Sequence, residues 1–402
     1  MMDKGSQDQL ETQIIRCLDW SEDQNFTGYN KFDGNDGPIT PALSFKSRFI
    51  ALVWSQLVCR FPINIRKFLL IPKKINPKGL ALFLRAYLDL FEHSGKYTYL
   101  KKAEKLASLI LEYRSKSFKH LCWGYQNRWV GPVFIAEEGY PNAVVTAFVC
   151  QSFCHLYKLT KKEKYLEAVV DAEKFFFENL PRLVDTETEL AIGYIPDTVE
   201  YEIVNVNAQY AGFLSRLYAI TGDKEYLITA KRLLNHLKIV QTDEGGWFYS
   251  NPGSSHPTKH DNYHTANVLE GFFDFIQVTG DHDYDSVFQK GVDFYFKNLF
   301  TEEGLPKWRH NKIYPLDSHS AASGLIFFSN LTHLKGYQSE KYSSLCLKLY
   351  HFINNNLYSG KGYFYYQKTR FFTKKFVLMR WSQAWICRSF STYLANLGKT
   401  NS

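Results

Sequence analysis

The chain has 402 residues, 45% hydrophobic and 22% charged, a globular balance that excludes an intrinsically disordered protein. Its 48 Lys and Arg against 40 Asp and Glu leave a formal charge of +8, a mild excess with no nucleic-acid motif, so no nucleic-acid partner is expected. The longest apolar runs, such as residues 51–58, are too short to span a bilayer, and the polar N-terminus lacks the apolar core of a signal peptide, so a cytoplasmic protein with no membrane span is expected.

In chain order, a short helix is predicted over residues 8–20, followed by a Gly/Asp/Asn-rich loop over 26–37 that cannot be helical. Pro38 and Pro41 precede a helix predicted from Pro41 to Arg60, and residues 69–77 form a basic, proline-punctuated connector. A repeat then begins. Leu80, Phe83, Leu84, Tyr87, Leu88 and Phe91 share one helical face, and Leu100, Ala103, Leu106, Ala107 and Ile110 share another. The turn between them recurs around Tyr157, Tyr218 and Ile276, in the last two as Thr-Gly-Asp. Each second helix leads into a glycine-aromatic segment, such as residues 122–129, 245–251 and 304–310, before the next first helix starts.

First helices are predicted to begin near Lys78, Asn142, Val206, Tyr263, His319 and Trp381, at intervals of 56 to 64 residues. Six first helices are followed by only five second helices, and the segment from Pro41 to Arg60 is the expected missing partner. The predicted fold is therefore all-α, an (α/α)6 toroid closed by pairing of N- and C-terminal helices, because a hairpin that cannot bury its apolar face alone gains a continuous core by ring closure. Tetratricopeptide units of about 34 residues are too short to match. The expected organisation is an N-terminal helix and loop over 1–40 packing on the toroid, a single toroid over 41–396, and a disordered tail over 397–402.

In such a ring the loops entering the first helices emerge at one end, so their polar residues converge. Asp261, Tyr263, His264, Asp317 and His319 are the candidate catalytic groups. Arg380, Asn142, Asn205 and Asn207 are candidate substrate contacts, with Trp123, Trp129, Trp247, Tyr249, Trp308 and Trp381 as aromatic walls. Aromatic residues make up 17% of the chain, and loop aromatics suit the apolar faces of sugar rings. Glycoside hydrolysis needs an acid and a base or nucleophile, for which Asp261 and Asp317, with Glu137 and Glu138 as further acids, are candidates. Proton abstraction beside a uronate carboxyl needs a base such as His264 or Tyr263, with Arg380 and Asn207 stabilising the developing charge. Asn142, Asn207 and Asp261 also fit a purely capping role. Seven cysteines, mostly in apolar helical patterns, indicate reduced thiols, and neither a metal site nor a cofactor motif is found. The acidic run 281–285 falls on an outer turn and reads as solvated.

The hairpin series resembles the six-hairpin toroids of carbohydrate-active proteins, which include unsaturated glucuronyl hydrolases, sugar 2-epimerases and the catalytic domain of glucuronyl C5-epimerases. More narrowly, Gly28-Tyr-Asn-Lys-Phe-Asp-Gly34, the stretch Asn76 to Arg85, Asp261-Asn-Tyr-His-Thr265, Tyr314 to His319 and Met379-Arg-Trp-Ser-Gln-Ala-Trp385 resemble a family encoded among surface-polysaccharide biosynthesis genes. Some members of that family carry the label delta-aminolevulinic acid dehydratase, which implies an α/β barrel that helical hairpins do not match. The resemblance implies an epimerase, lyase or hydrolase acting on a uronate-containing or related saccharide, with a saccharide or polysaccharide, in some cases anionic, as partner. The alternative is a non-catalytic saccharide-binding or scaffold protein of a polysaccharide biosynthesis complex.

Overall fold

The computed structural model describes residues 2–38, 47–131, 134–197, 201–251, 259–337 and 339–399, and among them the chain forms thirteen α-helices. These are α1 (Lys4–Asp23), α2 (Arg48–Arg60), α3 (Pro77–Ser94), α4 (Tyr97–Glu112), α5 (Ala143–Thr160), α6 (Glu163–Asn179), α7 (Val204–Thr221), α8 (Lys224–Ile239), α9 (Asn262–Thr279), α10 (Asp285–Asn298), α11 (Ser318–Leu331), α12 (Glu340–Asn356) and α13 (Trp385–Lys399). Short antiparallel strands decorate the connections: β1 (Trp129–Val130) with β2 (Ile135–Ala136), β3 (Arg182–Asp185) with β4 (Leu190–Ile192), and β5 (Leu316–Asp317) with β6 (Gln367–Lys368) and β7 (Thr373–Lys374).

Two hydrophobic patterns separate the helices into layers. The six first helices α3, α5, α7, α9, α11 and α13 bury most of their side chains, all round rather than on one stripe, and each packs on the next, with α13 returning to α3. Their partners α4, α6, α8, α10 and α12 bury only one stripe, as an outer layer facing water must. The result is an (α/α)6 toroid. Where inner helices approach most closely there is no room for a side chain: a Cβ on Gly271 of α9 would stand 2.4 Å from the Ala208 carbonyl oxygen of α7.

The sixth outer helix is α1, which corrects the expectation that the segment from Pro41 to Arg60 fills that place. The side-chain amide of Gln383 donates to the Cys17 carbonyl (3.0 Å) and to Ser21 Oγ (3.1 Å), and α1 packs along α13. Residues 41–46 of the predicted segment lie outside the described residues; α2 itself packs over the loop at 33–35 and beside β1, at the mouth of the ring. Its apolar residues therefore serve that contact rather than ring closure. The C-terminal helix continues to Lys399, past the predicted start of the tail, and 400–402 lie outside the described residues.

Four inner helices end on a residue in the left-handed region, at Gly95, Lys161, Gly222 and Gly280 (φ 68, 55, 73 and 64°), which is the recurring turn of the sequence. Four begin with a side-chain cap from Asn76, Asn142, Asp261 or Asp317, each accepting from a backbone N–H two or three residues on. These capped ends open together at one mouth of the ring.

Candidate active site

A cavity of about 400 Å³ lies at that mouth. Of the residues proposed from sequence, Asp261, Tyr263, His264, His319, Arg380, Asn205, Trp129, Tyr249, Trp308 and Trp381 line it. Five others do not. Trp123 and Trp247 are pillars between layers: their indole N–H groups donate to the Ile110 and Leu237 carbonyls (2.8 Å each) near the ends of α4 and α8, and neither ring reaches the cavity. Asn142 is occupied in capping α5, and Asn207 accepts from the Ile192 N–H (2.9 Å) and donates to Glu202 (3.0 Å). Asp317 is fully buried behind the wall, accepting from the His319 N–H (2.9 Å), Trp381 Nε1 (2.8 Å) and Gln367 Nε2 (3.1 Å). It holds Trp381 in place and does not line the cavity. Glu137 and Glu138 are exposed and paired with Arg128 and Lys74, and Asp281 is paired with Lys231 at 2.6 Å on the outside.

At the wall, Asp261 uses both carboxylate oxygens on one neighbour. Oδ1 accepts from the His264 backbone N–H at 3.0 Å, which caps α9, and Oδ2 takes a hydrogen bond from His264 Nδ1 at 2.7 Å. The second contact fixes Nδ1 as the protonated nitrogen and leaves Nε2 as a base. The ring is held between Tyr249 (centroids 4.5 Å) and Tyr263 (4.2 Å). Tyr263 in turn stacks on His319 at 4.5 Å, and Trp385 closes the other side of that imidazole at 4.1 Å. Both His319 nitrogens are buried without a hydrogen-bond partner, and burial together with Lys78, Arg380 and Lys31 holds the ring well below its ordinary pKa, in the neutral form.

Lys78, Arg309 and Arg380 line the cavity and Lys31 stands behind its aromatic wall; of these, only Arg380 was singled out in the sequence. Lys31 comes from the glycine-rich loop, its ammonium 3.7 Å from the Trp381 ring centroid and 4.8 Å from that of Trp308. That loop is pinned by a buried Arg66–Asp33 pair (2.6 Å), by backbone bonds between Gly28 and Lys74, and by the Met379 N–H donating to the Tyr29 carbonyl (3.1 Å). Glycine is required at position 28, since a Cβ would meet Met379 Cβ at 2.5 Å. Lys78, on the first turn of α3, is buried against Phe148 (3.8 Å) and Trp385 (5.4 Å). Arg380 donates to Asn30 Oδ1 (3.2 Å) and lies over Tyr125 (4.8 Å). Burial pushes Lys31 down and Lys78 far down from the usual lysine range. Asp261 is the one carboxylate lining the cavity among the described residues.

The architecture defines a class, the (α/α)6 toroid shared by glycosidases and sugar epimerases. Among solved structures, the chain is similar to a GH76 α-mannanase of Bacteroides thetaiotaomicron (TM-score 0.64, 16% identity, 81% of this chain and 88% of that one). It is also similar to the cellobiose 2-epimerase of Bacillus thermoamylovorans (0.62, 13%, 82% and 90%) and to a glycosyl hydrolase of family 88 from Bacteroides vulgatus (0.59, 12%, 81% and 93%). A family model for the β-L-arabinofuranosidase GH127 catalytic domain matches residues 144–294. No protein of curated function matches in sequence.

Proposed function

We propose that the chain is a carbohydrate-active enzyme that moves a proton on a saccharide bearing a carboxylate, as an epimerase of uronate-containing sugars does. The observation carrying this reading is the composition of the cavity: two imidazoles, His264 and His319, and three basic side chains, Lys78, Arg309 and Arg380, against a single lining carboxylate. Hydrolysis by paired carboxylates needs two such groups flanking the scissile bond, and Asp317 stands behind Trp381.

In this reading His264 Nε2 takes the proton from the carbon next to the carboxylate. The C–H electron pair moves into the carboxyl group, and the added negative charge falls beside Arg380 and Lys78, whose protonated forms an anionic ligand favours. Asp261 stabilises the imidazolium formed on His264, as the carboxylate of a catalytic triad does. A proton delivered to the opposite face from water inverts the centre, while the neutral, buried His319 backs Tyr263 at the cavity wall. Aromatic side chains, chiefly Trp129, Trp308 and Trp381, offer flat surfaces to the sugar ring.

The test is incubation of the protein with uronate-containing oligosaccharides in deuterated water, followed by NMR and mass spectrometry. Deuterium at the carbon beside the carboxylate is the expected result; new reducing ends without deuterium would replace this reading with hydrolysis. That second reading is favoured by one observation, the glycosidase family match, which spans Asp261 and His264.

A further inference from the structure

Exposed apolar side chains gather on one part of the surface, beside the mouth of the ring. Phe49, Val53 and Leu57 follow one another along α2 at intervals of one turn and are 73, 42 and 57% exposed. In the connector after α2, Phe68 and Leu70 are 78 and 65% exposed, and Phe371, in the turn between β6 and β7, is 86% exposed. The two segments adjoin: Lys374 Nζ donates to the Cys59 and Arg60 carbonyls (3.4 and 3.0 Å), and Ile63 and Phe372 line one shallow surface pocket. The opposite face of α2 is anchored, with Ala51, Ser55 and Val58 buried and Trp54 Nε1 donating to the Gly34 carbonyl (2.9 Å), so the exposed stripe is held outward.

Charge separates this face from an ordinary protein contact. The sequence has no Asp or Glu between Asp36 and Asp89 and none after Glu340. Arg60, Lys67, Lys73, Arg370 and Lys375 are exposed among the apolar groups. A second copy docked face to face would meet the same charge, whereas an anionic lipid surface complements it and accepts the aromatic and aliphatic side chains among its headgroups. We propose that this face seats the protein on a bilayer containing anionic lipid. Leu52 and Gln56, beside the exposed stripe on α2, line the catalytic cavity, so its mouth opens alongside the lipid. The inference stands apart from the reaction proposed above.

The experiment is co-sedimentation of the full chain with vesicles of phosphatidylcholine mixed with phosphatidylglycerol, and with phosphatidylcholine alone, at low and high salt. The protein is expected to pellet with the mixed vesicles and to be released by salt. Combining Lys67→Glu, Lys73→Glu and Arg370→Glu is expected to weaken binding on the order of 100-fold. Combining Phe49→Ser, Phe68→Ser and Phe371→Ser is expected to abolish it with the thermal midpoint unchanged, since these side chains are exposed. A protein that stays in the supernatant with mixed vesicles at low salt overturns the proposal. So does binding that neither set of substitutions alters, or a lipid-free dimer in sedimentation velocity that the serine set dissolves.

Discussion

One side chain, Asp261, both starts a helix and orients a base, and the two roles respond differently to substitution. Asn caps helices as well as Asp does, so Asp261→Asn is expected to leave the thermal midpoint nearly unchanged. It removes the charge that stabilises the His264 imidazolium, and solvent exchange into substrate is expected to slow by about 10²- to 10⁴-fold. Equal losses of stability and exchange would reduce Asp261 to a cap. Lys78 gives the converse case. Its ammonium is buried beside Arg380, with no carboxylate within salt-bridge distance among the described residues. Its folded pKa is depressed, so folding is penalised at every pH below the ordinary lysine value at which the unfolded chain takes up the proton. Lys78→Met is expected to raise stability on the order of 1 kcal/mol in urea unfolding while weakening capture of an anionic sugar. A destabilised variant would show that the amine has a partner in the fold.

At the scale of the helix and the loop, burial decides which aromatic residues matter for binding. Trp247 is a pillar, with Gly291 pressed so closely that a Cβ there would meet the indole at 2.6 Å. Trp247→Ala is expected to cost about 3–5 kcal/mol of stability. Trp308→Ala, on the cavity wall, is expected to leave stability within about 1 kcal/mol and to weaken saccharide binding measured by calorimetry. The reverse pattern would move the site. Sequence distinguishes these tryptophans poorly, because glycine-aromatic segments supply both pillars and walls and only the packing of the outer helix separates them. Hairpin number and ring closure were legible, since periodicity and turn chemistry repeat. The partner in closure was misassigned because α1 is polar on most of its surface, while α2 looks like a ring member through apolar residues that the fold leaves exposed. Lys78 was within reach: it opens the first hairpin where Tyr263, His319 and Trp381 open later ones, and all four line the cavity. Lys31 was not, since its approach depends on a loop folded back between Lys74 and Met379.

Across the whole ring, the axis between its two mouths is closed by charge. Arg85, Arg216 and Arg388 come together there with Asp89, Asp274 and Glu270, and a second cavity of about 530 Å³ opens beyond them at the far end. Arg216 pairs with Asp274 through two hydrogen bonds (2.8 and 2.6 Å), and Arg388 pairs with Asp89. Among the described residues Glu270 makes no ion pair and no side-chain hydrogen bond; burial outweighs the arginines and raises its carboxyl from 4.5 to about 7. Because the folded value lies above the unfolded one, the folded state holds a proton between these pH values that the unfolded chain has lost. Stability from this group is present below about pH 4.5 and is lost as pH rises through about 7. Glutamine mimics the protonated acid at every pH. Glu270→Gln is therefore expected to match the parent near pH 5 and to exceed it by about 2–3 kcal/mol at pH 8, since each pKa unit is worth about 1.4 kcal/mol. Urea unfolding at the two pH values reads the difference directly. A variant less stable than the parent at pH 8 would mean that the three arginines need the Glu270 charge more than its burial penalises it, and that the ring axis is held by a balanced ionic layer.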